Sequence, residues 1–229
     1  MPMTISQFRQ LAAYNRWANA RLYAAALDLS NQAYRLHIGV LFGSLHGTLN
    51  HLLLTDRLWL RRLTSEGEHP NRLDAILYED RAELTRARIA EDNRLIAVVE
   101  RYDEAALASL HSYKTTSGMP QTQVLSDILL HLFNHQTHYR GQAYACLSIL
   151  TGEEPPSLDL LVFQRGGSSA MVTDLQTKVE KYETKAAKCE QSARQAPDER
   201  ERAFYQELAN YYGAVATDFR QVIEKRKAA

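Results

Sequence analysis

The chain has 229 residues, 27 Lys and Arg against 27 Asp and Glu, a formal net charge of zero and 45% hydrophobic residues. Balanced charge without a basic tail removes the electrostatic basis for binding nucleic acid. No apolar run reaches the roughly 18 residues of a membrane span, and the start MPMTISQF lacks the basic-then-apolar pattern of an export signal. Cys146 and Cys189 stand far apart in no metal-like spacing. The expectation is a soluble cytoplasmic protein with reduced thiols, one domain plus an appendage.

Thr4 or Ser6 can cap a first helix running to about residue 29. Phe8, Leu11, Ala12, Ala18 and Leu22 mark its apolar stripe, and Tyr14 and Trp17 on the flank read as core. Asn15 and Asn19 are poor helix formers, so they are expected to hydrogen-bond a neighbouring helix. Residues 30–40 read as a connector.

A second helix is expected over about 41–65, with Leu45, Leu49, Leu52, Leu53, Trp59 and Leu60 as its apolar surface. A second stripe along it is small or polar: Ser44, Gly47, Thr48, His51 and Thr55. His51 sits in the room those small residues leave, and His46 belongs to another face. Residues 66–77 read as a loop punctuated by Gly67 and Pro70. A third helix follows over about 79–102, with Leu84, Ile89, Leu95, Ile96, Val98 and Val99 as its apolar positions. His69 and His111 lie in polar surroundings and read as solvated, and 111–123 reads as a turn or short hairpin.

A fourth helix over about 123–150 carries the stretch DILLHLFNHQTHYRGQ. Within it His131, His135 and His138 fall at i, i+4 and i+7, so at about 100° per residue they share a face, with Gln142 one turn later. A divalent transition metal takes three or four nitrogen, oxygen or sulfur ligands at about 2.0–2.3 Å. Histidines one helical turn apart converge without backbone strain, and His51 from the second helix can close the set. Imidazole ligands suit zinc, nickel, iron or cobalt, so the metal's identity stays open. A solvent-open groove lined by histidines is the alternative. No phosphate-cradling glycine loop, no GxSxG elbow and no Cys–His pairing is present.

Gly152, Pro155 and Pro156 end that helix, and the apolar segment 157–163, SLDLLVF, is expected to lie back across the bundle. Gly166–Gly167–Ser168–Ser169 reads as a linker. Beyond it, Val172, Leu175, Val179, Tyr182, Ala186, Cys189 and Ala193 form a heptad seam. Ala196–Pro197–Asp198 restarts a second helix striped by Phe204, Leu208, Tyr212, Val215 and Phe219. This α-hairpin carries no histidine and reads as a packing or association element.

Four segments together resemble the DinB-like family of metal-dependent four-helix-bundle proteins, distinct from the DNA polymerase sharing that label. They are YNRWAN at 14–19, LNHLLLTDRLWL at 49–60, HLFNHQTHYRGQ at 131–142 and PPSLDLLVF at 155–163. The resemblance covers 1 to about 166 and implies an all-α, up-down-down-up four-helix bundle. The domain reading is a bundle over 1–166 and a helical hairpin extension over 170–229. It also implies a divalent metal held by one histidine of the second helix and two of the fourth, a link to bacillithiol- and mycothiol-dependent S-transferases, and a homodimer.

Carried over by position, His51 matches the second-helix ligand and His135 the first ligand of the fourth helix. The next family ligand falls on Tyr139, which departs from the usual histidine. His138 ranks first for the third place, with His131 and Tyr139 as alternates; Arg140 and Gln142 match the family's RGQ and read as supporting contacts. The expected function is therefore metal-dependent S-transferase or hydrolase-like chemistry on a thiol or other small molecule, without nucleic acid or membrane. The alternatives are a non-catalytic helical stress-response or interaction protein with structural histidines, and a metal carrier or sensor.

Overall fold

The structure is a computed structural model describing residues 3–67 and 72–227, with the backbone alone described at 166–174 and 225–227. His69 and Pro70 therefore lie outside the described residues. Two compact units are present, Met1–Leu160 and Leu161–Ala229, and each is described by itself. The first is mostly helical with one small hairpin.

Helix α1 (Ile5–Leu27) starts at a reciprocal cap: Thr4 accepts from the Gln7 amide, and the Thr4 amide donates to Gln7 Oε1 at 2.8 Å. Its core residues include Phe8, Trp17 and Leu22, and Tyr14 is buried beside them. The connector is not wholly irregular, because Ser30 caps a short helix α2 (Asn31–Arg35) through the Ala33 amide. Helix α3 (Leu45–Thr64) begins four residues later than its apolar pattern suggests. Ser44 Oγ accepts from the Gly47 amide at 3.1 Å and fixes the start there.

Asp80 caps α4 (Arg81–Glu100). A short α5 (Glu104–Leu107) leads into the antiparallel hairpin β1 (Leu110–Lys114) and β2 (Pro120–Val124), which turns at Gly118 with φ +84°. Helix α6 (Leu125–Thr151) follows and ends at Gly152.

Four long helices pack in a cycle, α1 on α4, α4 on α3, α3 on α6 and α6 on α1. Side-chain pairs give their senses. Contacts between α1 and α4 run in opposite directions, from Arg9–Glu100 to Arg16–Asn93 to Asn19–Asp92. Those between α3 and α4 climb together, Arg88 with Leu52 and Arg94 with Thr64. Two apolar clusters fill the interior, one around Phe8, Leu60, Leu95 and Phe133, the other around Leu22, Leu49, Leu84 and Leu147.

Between those clusters lies a polar core that links all four helices. Arg88 Nη2 lies 2.7 Å from Asp56 Oδ2 and 3.0 Å from Asp92 Oδ1, ion-pair contacts. Asn15 and Asn19 donate to Asp92 Oδ1 at 3.1 and 2.9 Å, and Arg140 donates to Asn15. The two asparagines thus bond across helices, as their poor propensity suggests. Gln136 donates to Asp56 Oδ1 at 2.6 Å. The guanidinium ions of Arg88 and Arg140 thus share this core with the carboxylates of Asp56 and Asp92, each buried charge lying near its opposite.

Segment 157–163 divides in two. The carbonyls of Ser157 and Leu158 lie back on the bundle, accepting from Arg21 and from the Tyr14 hydroxyl at 2.6 Å. From Leu160 the chain is already helical, in α7 (Leu160–Gln195). That helix continues through Gly166–Ser169, so the backbone there is helical rather than the irregular linker its composition suggests. In the second unit α7 is followed by α8 (Glu199–Lys227), capped by Asp198, with Leu175, Val179 and Ile223 buried and Tyr182 stacked on Phe219 at 5.8 Å. Among the described residues no helix is long and apolar enough to cross a membrane.

Candidate metal centre

Helix α3 buries His51 where Gly47 lets the preceding loop approach closely. A Cβ at Gly47 would stand 2.1 Å from the Phe42 carbonyl oxygen. That approach brings the Phe42 ring onto His51, stacked at 3.8 Å between centroids. His51 Nδ1 lies 2.8 Å from the Leu73 carbonyl oxygen. A carbonyl only accepts, so Nδ1 carries the proton and Nε2 carries a lone pair. That Nε2 is buried and has no hydrogen-bond partner among the described residues.

Across the α3–α6 seam His51 meets His135 at 5.3 Å and Tyr139 at 4.4 Å between ring centroids, and His135 meets Tyr139 at 4.5 Å. The three rings close a triangle. Burial holds both imidazoles neutral. It lowers the His51 pKa, and it takes His135 down to about 3, helped by the neighbouring His51, His131 and His138.

The remaining histidines are placed differently. His131 lies 5.9 Å from His135 and meets the edge of Trp59 at 5.2 Å, on the solvent side. His138 is exposed. It meets Tyr139 edge-on at 4.8 Å, and its Nε2 lies 2.9 Å from Gln142 Nε2. The structure brings Tyr139, rather than His138, to His51. The buried face of α6 is Ile128, Leu129, Leu132, Phe133, Gln136 and Arg140, and the histidines ride along its edge.

His46 is an interior histidine with its ring satisfied, Nε2 on the Tyr78 carbonyl at 3.0 Å and Nδ1 against Arg35 at 3.3 Å. His111 is not simply solvated: its Nε2 donates to the Arg62 carbonyl at 2.8 Å.

Do these residues fit a divalent ion? The orphaned Nε2 of His51 fits, since a ligating imidazole is held by a hydrogen bond from its other nitrogen, here to Leu73. His135 supplies a second neutral imidazole. Among the described residues no three His, Cys, Asp or Glu come together to hold a metal. The third neighbouring donor is the Tyr139 phenol. A divalent ion placed here would meet two imidazoles and, beside them, the Tyr139 ring.

Two contributors went unread in the sequence. Phe42 braces His51, and Gln136, beside His135 in sequence, ties α6 to Leu52 and Asp56 of α3 at 3.0 and 2.6 Å. No spacing announces Phe42. For Asp56 and Arg88 the signal was available: charged residues standing in register with buried apolar ones.

A family model described as DinB family matches residues 1–175. The chain is 29% identical to Protein DinB of Bacillus subtilis (strain 168) over 147 residues, 60% of this chain and 83% of that protein. Its fold is similar to the crystal structure of a DinB-like protein from Bacillus cereus, with a TM-score of 0.54 and 18% identity, covering 69% of this chain and 99% of that one.

Proposed function

The chain belongs to the DinB family, and from that premise we propose that His51, His135 and Tyr139 form a divalent-metal centre serving transfer or hydrolysis chemistry on a thiol or other small molecule. The observation that carries the reading is the buried Nε2 of His51, which has no hydrogen-bond partner among the described residues, on a ring aligned by Leu73 and set beside His135. When bound, such an ion lowers the pKa of a thiol or water so that a nucleophile exists at neutral pH. His51 and His135 would hold it as neutral donors, which their lowered pKa values favour. Phe42 covers one face of His51 and keeps water from it. The phenol of Tyr139 stands ready as third donor or as a proton donor to the substrate.

The reading includes an up-down-down-up order for α1, α3, α4 and α6, supported by the senses of the α1–α4 and α3–α4 pairs and by α3 against α6 running from Trp59–His131 to His51–Tyr139. It also includes a zinc, nickel or iron ion, as imidazole donors suit, a cytoplasmic setting, as the separated cysteines suggest, and a homodimer, carried over from the family resemblance. A second reading, a non-catalytic protein with structural histidines, is favoured by the absence of a third histidine or carboxylate among the described residues.

Metal content separates them. Untagged protein purified and analysed by mass spectrometry is expected to hold about one divalent ion per chain, lost in His51→Ala and His135→Ala. Turnover of a thiol with an electrophile is expected to disappear in the same variants. Protein without stoichiometric metal, even after loading with zinc, nickel or iron, sinks the metal reading.

A further inference from the structure

A cavity of about 420 Å³ opens between the C-terminal end of α3 and the β1–β2 hairpin. Its lining includes Arg61, Arg62 and Lys114, together with the hydroxyl residues Ser65, Ser112 and Thr116, and no carboxylate lines it among the described residues. Three cations with no counter-charge among the described lining residues make a region of positive potential inside concave walls, where field lines are focused.

Arg62 is fixed there. Its guanidinium lies 4.5 Å above the Trp59 ring and 5.1 Å from that of Tyr113, and its Nε is buried with no hydrogen-bond partner among the described residues. Stacking on two rings removes most of the side chain's freedom in advance, so a ligand would not have to order it. The His111 ring holds the Arg62 carbonyl from the hairpin side, which ties β1 to α3 at this point.

The cavity is in line with the histidine site. Arg62 follows His51 by eleven positions, three helical turns, so the two share a face of α3 about 16 Å apart along the axis. Between them a continuous row of rings runs from His135 to His131 to Trp59 to Tyr113, each step under 6 Å.

We propose that this cavity seats an anionic group, a carboxylate or phosphate, of the substrate whose reacting end lies at His51, His135 and Tyr139. The anion would take charge-assisted hydrogen bonds from Arg62 and Lys114, with hydroxyls of the hairpin beside them. The assignment of the anion to a substrate rests on the functional reading above. The anion site itself rests on the cavity.

The test titrates inorganic phosphate and succinate separately into metal-free full-length protein at constant ionic strength, following backbone amide shifts. Saturable shifts at 61–65 and 112–118 are expected, with affinity falling about tenfold for each cation removed in Arg62→Gln and Lys114→Gln. Lys114 lies on an exposed strand, so its variant tests the site even if Arg62→Gln does not fold. Saturation by phosphate alone assigns a phosphate-bearing substrate, and saturation by succinate alone a carboxylate-bearing one. Absence of saturation by both, or an affinity unmoved in the folded variants, overturns the proposal. Because no metal is present in the titration, that failure leaves the metal reading standing, and loss of metal in His51→Ala leaves the anion site untouched.

Discussion

Arg88 and Asp92, one turn apart on α4, meet at 3.0 Å in the interior, with side chains 1% and 2% exposed. Burial by itself lowers the pKa of the guanidinium, and the charges of Asp92 and Asp56 outweigh that, holding it firmly charged. The pair stands where the two apolar clusters leave a gap, and through Asn15, Asn19 and Asp56 it joins three helices.

Replacing Arg88 by methionine keeps the volume and removes the charge, leaving two buried carboxylates facing each other. A loss of about 3–5 kcal/mol is expected in urea unfolding. Ile89→Ala, on the exposed side of the same turn, is expected to cost within about 0.5 kcal/mol. Similar losses for the two variants would mean that the polar core does not hold the bundle.

That contrast also shows how far the chain could be read without its structure. The hydrophobic stripes place the four long helices, because burial of Leu and Phe at helical spacing dominates their packing. On α4 the stripe misleads: Ile89 is 51% exposed while Arg88 is buried. Burial of a cation is possible only because carboxylates from α3 and α4 converge on it, and one helix's pattern cannot reveal a partner on another. The same reason explains the site. Spacing along α6 makes His131, His135 and His138 look equivalent, but helix phase against α3 selects His135 and Tyr139 to face His51. The matching of YNRWAN and HLFNHQTHYRGQ to a family points to the segments that carry Asn15, Asn19, His135 and Tyr139, while the glycines at 166–167 suggest a break that the helical backbone of α7 does not make.

The placement of Tyr139 and His138 can be tested directly. His138→Ala is expected to leave metal affinity unchanged, since that ring lies against Gln142. Tyr139→Phe is expected to weaken binding and Tyr139→His to tighten it by supplying a third imidazole. A competition titration with a chromophoric chelator ranks the three. Loss of metal in His138→Ala with no change in Tyr139→Phe would assign the third position to His138.

Acid provides another handle on the metal-free protein. His135 has a folded pKa of about 3 against the ordinary imidazole value of 6.5, so between these values the unfolded chain binds the extra proton. Stability from this residue is present above pH 6.5 and is lost as pH falls toward 3. Allowing for partial solvent access, the loss is about 1 kcal/mol by pH 5. Asp56 acts in the opposite sense. Burial raises its pKa from 3.8 to about 6, so its contribution fades as pH rises through that window. His135→Leu removes only the first effect. Urea unfolding at pH 7 and pH 5 is expected to show the wild type losing about 1 kcal/mol more than the variant on acidification. Equal losses would mean that His135 is not held neutral by its surroundings.

Gly47 links the backbone to the histidine cluster. Its missing Cβ leaves room for the Phe42 carbonyl, and a methyl there would stand 2.1 Å from that oxygen, a backbone atom that can retreat only if the loop moves. Moving the loop moves the Phe42 ring, which stacks on His51 at 3.8 Å. Gly47→Ala therefore sets a helix-favouring residue against a forced displacement, and the clash is expected to prevail by about 1–3 kcal/mol. The consequence extends beyond stability. With Phe42 displaced, His51 gains water at its exposed face, its ring loses a wall, and metal affinity falls in the folded variant. Thermal unfolding and chelator competition on the same preparation measure both effects. Unfolding at the wild-type temperature with unchanged metal affinity would show that the loop yields without strain and that Phe42 does not brace the site.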